Sequence, residues 1–266
     1  MATEERPGTA KINAGWWGAR AEDWAEVQEA MCLPVFVAAL ERAGLQPGAS
    51  YLDAGCGAGL AAQIAAERGA RVHGLDAAPN LLEIARRRVP DGEFRTGDLE
   101  NLPYRDAQFD LVTGFNSFQF AGTPGAALRD ARRVTRPGAH VLIMIWGKPE
   151  GMEATSLLAA LRPLLPSPPP GAPGPFALSD EGAILAFAEA AGLKPIDLFD
   201  VDAPWRYPDL QTGLRGLRSS GVAARAIHHS NEEAVNDAHA KALEPFRQTD
   251  GSFRIHATFR CLLAGA

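Results

Sequence analysis

The chain has 266 residues, of which 46% are hydrophobic and 22% charged, and its formal net charge is −6. The length and hydrophobic content predict one globular α/β domain with extensions. The negative charge argues against a nucleic-acid-binding protein, which needs a basic face. No apolar run reaches the ~18 residues of a membrane-spanning helix, and residues 1–7 have no signal-peptide core. The three cysteines have neither metal-binding nor redox spacing, so we expect a cytoplasmic protein without a metal or a membrane partner.

The first predicted elements are two helices, over residues 16–31 and 34–43. Trp17 and Trp24 are seven residues apart and therefore share a helix face. Such a face either packs the helix on the core or contacts a ligand, to which a tryptophan can contribute a cation–π contact. Arg20 between them is either a surface charge or the partner of a ligand carboxylate. We assign residues 1–46 to an N-terminal helical lid.

A short apolar strand, Tyr51–Asp53, comes next and leads into a loop with glycines at 55, 57 and 59 that opens a helix. Glycines here let the backbone turn tightly and approach a ligand, and the helix N-terminus adds unpaired N–H groups. A dinucleotide-binding loop has its third glycine at the position of Leu60. Asp53 also lies where it would repel a pyrophosphate, whereas it suits a ligand with an ammonium group.

This loop, with the pattern apolar–apolar–Asp–x–Gly–x–Gly, resembles the first motif of the class I S-adenosylmethionine-dependent methyltransferases. Further blocks follow in the family's order over roughly residues 50–146: the strand Arg71–Asp76, the stretch Thr96–Pro103 before the strand Phe109–Val112, and the Pro-Gly turn of Ala131–Gly138 before the strand Val141–Ile145. The pattern is most similar to the branch that methylates small metabolites (methyltransferase type 11).

The alternation of strands and helices in this region predicts parallel strands, right-handed crossovers and helices on both faces. The resemblance implies a Rossmann-like doubly wound α/β fold with a seven-stranded sheet, in which the last strand is antiparallel and lies between the fifth and the sixth. We expect the sixth strand at Ile196–Val201 and the last at Phe253–Phe259, continuing through Leu263. Residues 47–206 and 249–266 form the predicted methyltransferase core.

Residues 207–248 read as a helical insertion before the last strand, and Ser230–Glu233 has the form of a capping box. An insertion that follows strand six leaves the sheet at the carboxyl edge, where ligands bind in such folds. We therefore predict that this insertion and the N-terminal helices form a lid over the substrate. The proline-rich tract 163–175 predicts a semi-rigid bridge over the surface.

The resemblance implies S-adenosylmethionine as the cofactor and assigns strand-end and loop residues to it. Asp53 would help to hold the ammonium group, and Asp76 would accept hydrogen bonds from the ribose hydroxyls. The alternative to a ligand contact is a structural role: a helix N-cap or a solvated turn for each aspartate, and core packing for Phe115. The full predicted set is Asp53, Gly55, Cys56, Gly57, Asp76, Ala77, Asp98, Leu99, Phe115, Trp17 and Arg20; within it, Cys56 needs only to be small.

Substrate contacts are predicted at the ends of strands four and five and in the lid, at Asn116, Gln119, Trp24 and Trp146. No general base is identified from the sequence. The catalytic candidates are Asn116 and the pair His228 and His229, for which a surface position is the alternative. His140 begins its strand on the side away from the predicted site and is discounted.

The expected function is methyl transfer to a small molecule by in-line displacement, by a monomer or homodimer that uses no nucleic acid as substrate. The chain lacks the Asn/Asp-Pro-Pro-aromatic motif of the amino-methylating members after strand four, but oxygen, carbon and nitrogen acceptors remain open. Two other functions remain: a protein that binds the cofactor without catalysis, and a nicotinamide-dependent oxidoreductase, which Leu60 and Asp98 disfavour.

Overall fold

The computed structural model describes residues 9–167 and 174–266. The predicted absence of a signal peptide in residues 1–7 and part of the predicted proline-rich bridge lie outside the described residues. Within them, no helix is long and apolar enough to cross a membrane. The same residues contain no group of three or more His, Cys, Asp or Glu side chains that could hold a metal ion.

In the described part of the chain, nine strands form a large sheet and a small one. They are β1 (Ser50–Ala54), β2 (Arg71–Asp76), β3 (Glu93–Thr96), β4 (Phe109–Phe115), β5 (Thr135–Trp146), β6 (Lys194–Asp202), β7 (Trp205–Tyr207), β8 (Phe253–Ile255) and β9 (Thr258–Gly265). The large sheet has the order β3-β2-β1-β4-β5-β9-β6. The pairs within β1–β5 are parallel, whereas β9 is antiparallel to both β5 and β6. The predicted seven-stranded sheet with an antiparallel last strand is therefore confirmed.

Helices cover both faces of this sheet. They are α1 (Ala10–Gly18), α2 (Ala21–Asp23), α3 (Leu33–Arg42), α4 (Leu60–Glu67), α5 (Pro79–Arg88), α6 (Pro124–Val134), α7 (Ala154–Ala160), α8 (Glu181–Ala190), α9 (Leu210–Arg218), α10 (Gly221–His229) and α11 (Glu232–Leu243). Buried residues of α3, α4 and α5 pack on one face of the sheet, and those of α6 and α8 pack on the other. Alternate residues of β1 enter the two layers, since Tyr51 faces the first and Leu52 the second.

Close packing of α4 on α5 depends on Gly59. This residue has φ +84° and comes just before α4, and a Cβ added to it would lie 2.8 Å from the Cβ of Ala85. A glycine is required there both by the backbone conformation and by the lack of space. Gly59 thus allows two helices to pack closely, whereas the glycine that a dinucleotide-binding loop has at the position of Leu60 serves packing of a helix on a strand.

The chain before α3 is a broken helix rather than the single helix predicted over residues 16–31. It begins at Ala10, leaves the helical conformation at Arg20 and continues through α2, a π-helical turn over Trp24–Gln28 and a 3₁₀ turn over Glu29–Cys32. We call residues 9–32 the N-terminal cap. A π-helical turn is frequent at functional sites, and here it lies next to the glycine loop.

The predicted last strand is interrupted, so its continuous course over 253–263 is wrong. In the large sheet, the pairing of β6 with β9 ends at Asp202 and Thr258. Beyond this point the two segments pair again as β7 and β8, where Trp205 lies opposite Ile255, and this second pairing forms the small sheet. At the bend, the backbone N–H of His256 donates to the Glu153 carboxylate at 2.6 Å. The ribbon leaves the large sheet there because its buried residues enter a second core beneath the helical insertion.

The helical insertion lies between β7 and β8 and consists of α9, α10 and α11, followed by a 3₁₀ turn at Glu244–Phe246. The predicted capping box is wrong by one residue, because the Ser230 hydroxyl donates to the Ala226 carbonyl at the end of α10. Asn231 is the N-cap of α11, and its side chain accepts the N–H of Ala234 at 2.8 Å.

Candidate active site

A cavity lies at the carboxyl ends of β1, β2 and β4, beneath the N-terminal cap. Three groups of residues enclose it. The loop wall is Gly55, Gly57, Asp76, Ala77, Leu81, Gly97, Asp98 and Leu99; the cap wall is Thr9, Ala10, Asn13, Trp17 and Trp24; the strand-four wall is Phe115, Asn116, Ser117, Phe120 and Ala121.

Ten of the residues predicted for the site line this cavity: Gly55, Gly57, Asp76, Ala77, Asp98, Leu99, Phe115, Asn116, Trp17 and Trp24. Asn116, at the end of β4, has φ +52°, a left-handed conformation that is uncommon outside glycine and recurs at functional sites. The sequence reasoning missed Asn13 and Phe120, because α1 begins six residues before the predicted helix and Phe120 belongs to a short 3₁₀ turn.

The amides of the glycine loop are almost fully used by protein acceptors. The N–H groups of Gly55 and Cys56 donate to the Leu75 carbonyl, and that of Gly59 donates to the Cys56 carbonyl. The Gly57 N–H donates to the Asp76 carboxylate at 2.9 Å. These amides are therefore unavailable as a cradle for a phosphate group, although such cradles are the usual purpose of a glycine loop before a helix.

Asp76 connects the end of β2 to both neighbouring loops. One of its carboxylate oxygens accepts the Gly57 N–H, and the other accepts the N–H of Ala78 at 2.8 Å. Burial raises the pKa of this carboxyl, and the backbone hydrogen bonds oppose that effect. The carboxylate thus lies on the loop wall in a fixed orientation, where it can accept further hydrogen bonds from a ligand hydroxyl.

Asp53 lies behind the loop wall and is 1% exposed. It accepts a hydrogen bond from the Thr113 hydroxyl at 3.1 Å, and the Thr113 hydroxyl is itself 2.7 Å from the Tyr51 hydroxyl. Burial is the main reason that the pKa of Asp53 rises to about 7, and the nearby carboxylates of Glu29 and Asp76 raise it further. A cation bound in front of the glycine loop would favour the ionised form of Asp53.

A partly buried ion pair joins the N-terminal cap to the glycine loop, and no sequence pattern predicts it. Glu29 is 3% exposed and pairs with Arg88 at the end of α5. The Arg88 guanidinium also donates to the carbonyls of Ala58 in the loop, at 2.9 Å, and Ala25 in the cap, at 2.8 Å. Arg88 is thus not a solvated surface charge, because its guanidinium pairs with the carboxylate of Glu29.

The helix that follows the loop is capped from outside. The N–H of Leu60, the first residue of α4, points to the second Glu29 carboxylate oxygen at 3.4 Å. Burial raises the pKa of Glu29, and Arg88 lowers it. A carboxylate at this position is stabilised by the positive end of the helix dipole. It also places a negative charge where a dinucleotide-binding protein would bind its pyrophosphate.

Aromatic rings form most of the cap side of the cavity. The ring of Trp17 meets that of Trp24 edge to face at 5.1 Å between centroids, and that of Phe120 at 5.5 Å. The Asn13 side-chain amide donates to the Phe120 carbonyl at 2.8 Å and so holds the cap against the end of β4. These contacts close the cavity from above.

Several predicted site residues lie elsewhere. Arg20 pairs with Glu232 of α11, and Gln119 donates to the Asn116 side chain from outside the lining. Trp146 stacks on Phe259 with centroids 4.8 Å apart, in the apolar core between the sheet and the helical insertion. Burial raises the pKa of the Cys56 thiol, which is 5% exposed behind the loop.

The histidine pair is also remote from the cavity lining. His228 and His229 are exposed at the end of α10, and the ring of His228 packs on Trp16 at 5.1 Å. The helical insertion as a whole lies behind the N-terminal cap. Arg215 of α9 bonds to Asp23 in the cap, and no described residue of 207–248 belongs to the lining.

Comparison with known proteins agrees with this architecture. Residues 52–143 match a family model described as a methyltransferase domain. A malonyl-[acyl-carrier protein] O-methyltransferase from Erwinia billingiae is 31% identical over 199 residues, which are 74% of this chain and 74% of that protein. A demethylmenaquinone methyltransferase from Renibacterium salmoninarum is 33% identical over 110 residues, 41% of this chain and 46% of that protein.

Among solved structures, a protein from Bacillus halodurans assigned as a methyltransferase has the same fold, with a TM-score of 0.58 and 16% identity over 86% of this chain and 97% of that chain. Some relatives are matched over less than two thirds of their length. A malonyl-[acyl-carrier protein] O-methyltransferase from Serratia marcescens is 42% identical over 96 residues, which are 36% of this chain and 38% of that protein. The Erwinia relative, in contrast, is matched over 74% of its length. Because this relative is similar over most of both chains and residues 52–143 match the methyltransferase domain, the chain belongs to the class I S-adenosylmethionine-dependent methyltransferases, in the type 11 branch.

Proposed function

We propose that this protein transfers a methyl group from S-adenosylmethionine to a small molecule held under the N-terminal cap. One observation carries the proposal: the loop wall presents carboxylates and occupied amides rather than free N–H groups. That surface suits a cofactor whose ammonium and sulfonium groups outweigh its one carboxylate and leave a net positive charge. It does not suit the pyrophosphate of a dinucleotide.

The lining fits the parts of this cofactor. Asp76, fixed by its two backbone hydrogen bonds, would accept the ribose hydroxyls. Asp98 has one oxygen bonded to the Glu100 N–H at 3.0 Å, so the other can accept from the adenine amine beside Leu99. Only glycine fits at position 55, because a Cβ there would lie 2.3 Å from the Ser117 Cβ. Asp53 would supply the charge behind the ammonium group.

The protein's own contribution to catalysis is to position the reactants and exclude water. When bound, S-adenosylmethionine supplies an electrophilic methyl group: the bond to the acceptor forms as the carbon–sulfur bond breaks, the electron pair stays on sulfur, and the acceptor's proton passes to solvent. The aromatic side of the cap and Phe115 would keep water from the reacting atoms. The described lining contains no histidine or lysine, and its two carboxylates, Asp76 and Asp98, are assigned to the cofactor. We therefore expect the acceptor to release its proton without a dedicated general base.

The two alternative functions have less support. A nicotinamide-dependent oxidoreductase would have to place its pyrophosphate against Glu29 and the occupied loop amides. A binding protein without catalysis would not need the strained Asn116 at the acceptor side of the cavity. A small-molecule acceptor, demethylmenaquinone, is also named for the Renibacterium relative.

Calorimetric titration with S-adenosylmethionine, NADH and NADPH tests the cofactor. We expect micromolar binding of S-adenosylmethionine alone, and a loss of at least tenfold in affinity in Asp76→Asn, because one acceptor oxygen is replaced by a donor. Asp91→Asn, which changes an exposed carboxylate on the loop after α5, is the matched control and should bind normally. Binding of a nicotinamide cofactor alone would contradict the proposal.

A further inference from the structure

We infer that the methyl acceptor is an uncharged, largely aromatic molecule rather than a carboxylate or a phosphorylated carrier. This inference rests on the proposed function, since it concerns the acceptor side of the same cavity. We assign the cap wall and the strand-four wall to the acceptor and the loop wall to the cofactor. Trp17 and Phe115, predicted above as cofactor contacts, then lie where the two ligands meet. Its charge, its hydrogen-bonding groups and its shape each limit what it can hold.

The charged side chains of the cavity lining disfavour an anionic acceptor. Among the described residues that line the cavity, the charged side chains are those of Asp76 and Asp98, and none is an arginine, lysine or histidine. Asp53 adds a third carboxyl behind the loop. A carboxylate or phosphate on the acceptor would lose its hydration and find no cationic side chain in return, which is unfavourable. The carboxylate of S-adenosylmethionine differs, because the ammonium and sulfonium groups of the same molecule give the cofactor a net positive charge.

Two described arginines, Arg20 of the cap and Arg88 of α5, are already engaged by other groups. Arg20 pairs with Glu232, and Arg88 is held by Glu29 and two backbone carbonyls. Release of Arg88 toward the cavity would leave the buried carboxylate of Glu29 without its cation, which is costly. Glu232 would keep a second partner, Arg218, so the pairing of Arg20 is the weaker restraint.

The polar side chains on the acceptor side are also largely satisfied within the protein. The Ser117 hydroxyl donates to the Ala54 carbonyl at 2.6 Å, and the Asn13 amide donates to the Phe120 carbonyl. The Asn116 carbonyl oxygen accepts from Gln119. The Thr9 hydroxyl also donates to the Phe120 carbonyl, at 3.3 Å. What remains for a ligand is the oxygen and second N–H of Asn13, the Asn116 amide group, and the lone pairs of the two hydroxyls. These groups can orient a hydroxyl or carbonyl, but none of them carries a positive charge that would pair an anion.

The rest of the acceptor side is apolar and aromatic. The ring of Trp17 meets those of Trp24 and Phe120 edge to face, with ring planes 85° and 72° apart, so the three rings form an angled aromatic wall that lines the same cavity as Phe115. Such a wall favours an aromatic ligand, which can pack its face on one ring and its edge on another. The chemistry thus differs from that of the malonyl group named for the Erwinia relative, since a malonyl thioester carries a free carboxylate at neutral pH.

A matched pair of probes tests the inference: methyl 6-hydroxy-2-naphthoate and 6-hydroxy-2-naphthoate, which share the ring and the hydroxyl and differ by one negative charge. Binding of each to the full chain is measured by calorimetry at pH 7.5, with and without S-adenosylhomocysteine. We expect the ester to bind at least tenfold more tightly. Asn13→Lys, which adds a cation to the cap wall, should reduce or reverse this preference. Ile12→Lys, at a neighbouring side chain that is 60% exposed, should leave it unchanged.

Equal binding of the two probes, tighter binding of the acid, or binding of neither would overturn the inference. So would methyl transfer to the malonyl thioester of N-acetylcysteamine. The outcome is independent of the cofactor test. If S-adenosylmethionine does not bind but the ester is still preferred, the proposed methyl transfer is wrong and the preference for an uncharged ligand stands. If S-adenosylmethionine binds but the acid is preferred, the cofactor proposal stands and the uncharged-ligand inference is wrong.

Discussion

Asp53 illustrates at the scale of one residue how a binding site can oppose stability. Its folded-state pKa is about 7, mainly because of burial, against about 4 in an unfolded chain. Below pH 4 both states hold the proton, and Asp53 has no effect on stability. As the pH rises to 7 the unfolded state releases its proton more readily, so the carboxyl increasingly destabilises the fold, and this penalty is constant at higher pH.

Asp53→Asn should therefore stabilise the cofactor-free protein by about 1–3 kcal/mol at pH 8 and hardly at all at pH 4. The same change should weaken S-adenosylmethionine binding, because a neutral amide no longer stabilises the ammonium group. Thermal unfolding across this pH range and calorimetry measure the two effects. The groups facing Asp53 are Thr113, Glu29 and Asp76. A variant that is less stable at pH 8 would show that the carboxyl is ionised and well paired in the free protein.

At the scale of elements, the Glu29–Arg88 pair links the N-terminal cap to the glycine loop. Replacing a buried ion pair by neutral side chains of similar size is often nearly neutral for stability. The double variant Glu29→Gln, Arg88→Met should accordingly fold, but its loop would no longer be held in the binding conformation. We expect cofactor affinity to fall at least tenfold, with kcat at saturating cofactor changed much less, because preorganisation acts on binding.

The same helix offers a matched control. Arg87 and Glu22 form an exposed ion pair between α5 and the cap, one residue away from Arg88. The double variant Glu22→Gln, Arg87→Met removes a pair of the same charge from the same two elements. Exposed pairs contribute little, so cofactor affinity should stay within twofold of the unmodified protein. Equal losses in both double variants would mean that general attachment of the cap, rather than positioning of the loop, explains the effect.

At the scale of the whole molecule, the helical insertion supports the cavity without lining it. Gly221 at the start of α10 packs against the face of the cap that points away from the cavity, and a Cβ there would lie 2.7 Å from the Trp17 ring. Gly221→Ala should keep α10, since alanine favours a helix, but displace Trp17. We expect a loss of about tenfold or more in kcat/KM, measured together with tryptophan fluorescence.

Gly125→Ala serves as the control for this long-range effect. Gly125 also lies in the first turn of a helix, α6, and an added Cβ would meet only the end of the Arg129 side chain, at 3.4 Å. Its activity should be normal. Normal activity and fluorescence in Gly221→Ala as well would show that the insertion does not set the position of Trp17.

The sequence by itself determined the sheet and the loop wall of the cavity. The spacing of glycines and of strand-end carboxylates is local, and consecutive parallel strands bring their carboxyl ends to one edge. Asp76 and Asp98 therefore reach the cavity with no need for information from distant segments. Their roles toward a ligand remain predictions.

Only the tertiary structure decided which distant side chains complete the site. Glu29 and Arg88 are 59 residues apart, and Arg20 and Glu232 are 212 apart. Neither pair has a periodicity or spacing that a sequence pattern could reveal. The same holds for the break before β9, where the ribbon leaves the large sheet to bury its apolar residues in the core under the insertion. These features depend on which surfaces meet after the helices and strands have packed, and that is settled by the burial of apolar area and charge across the whole molecule.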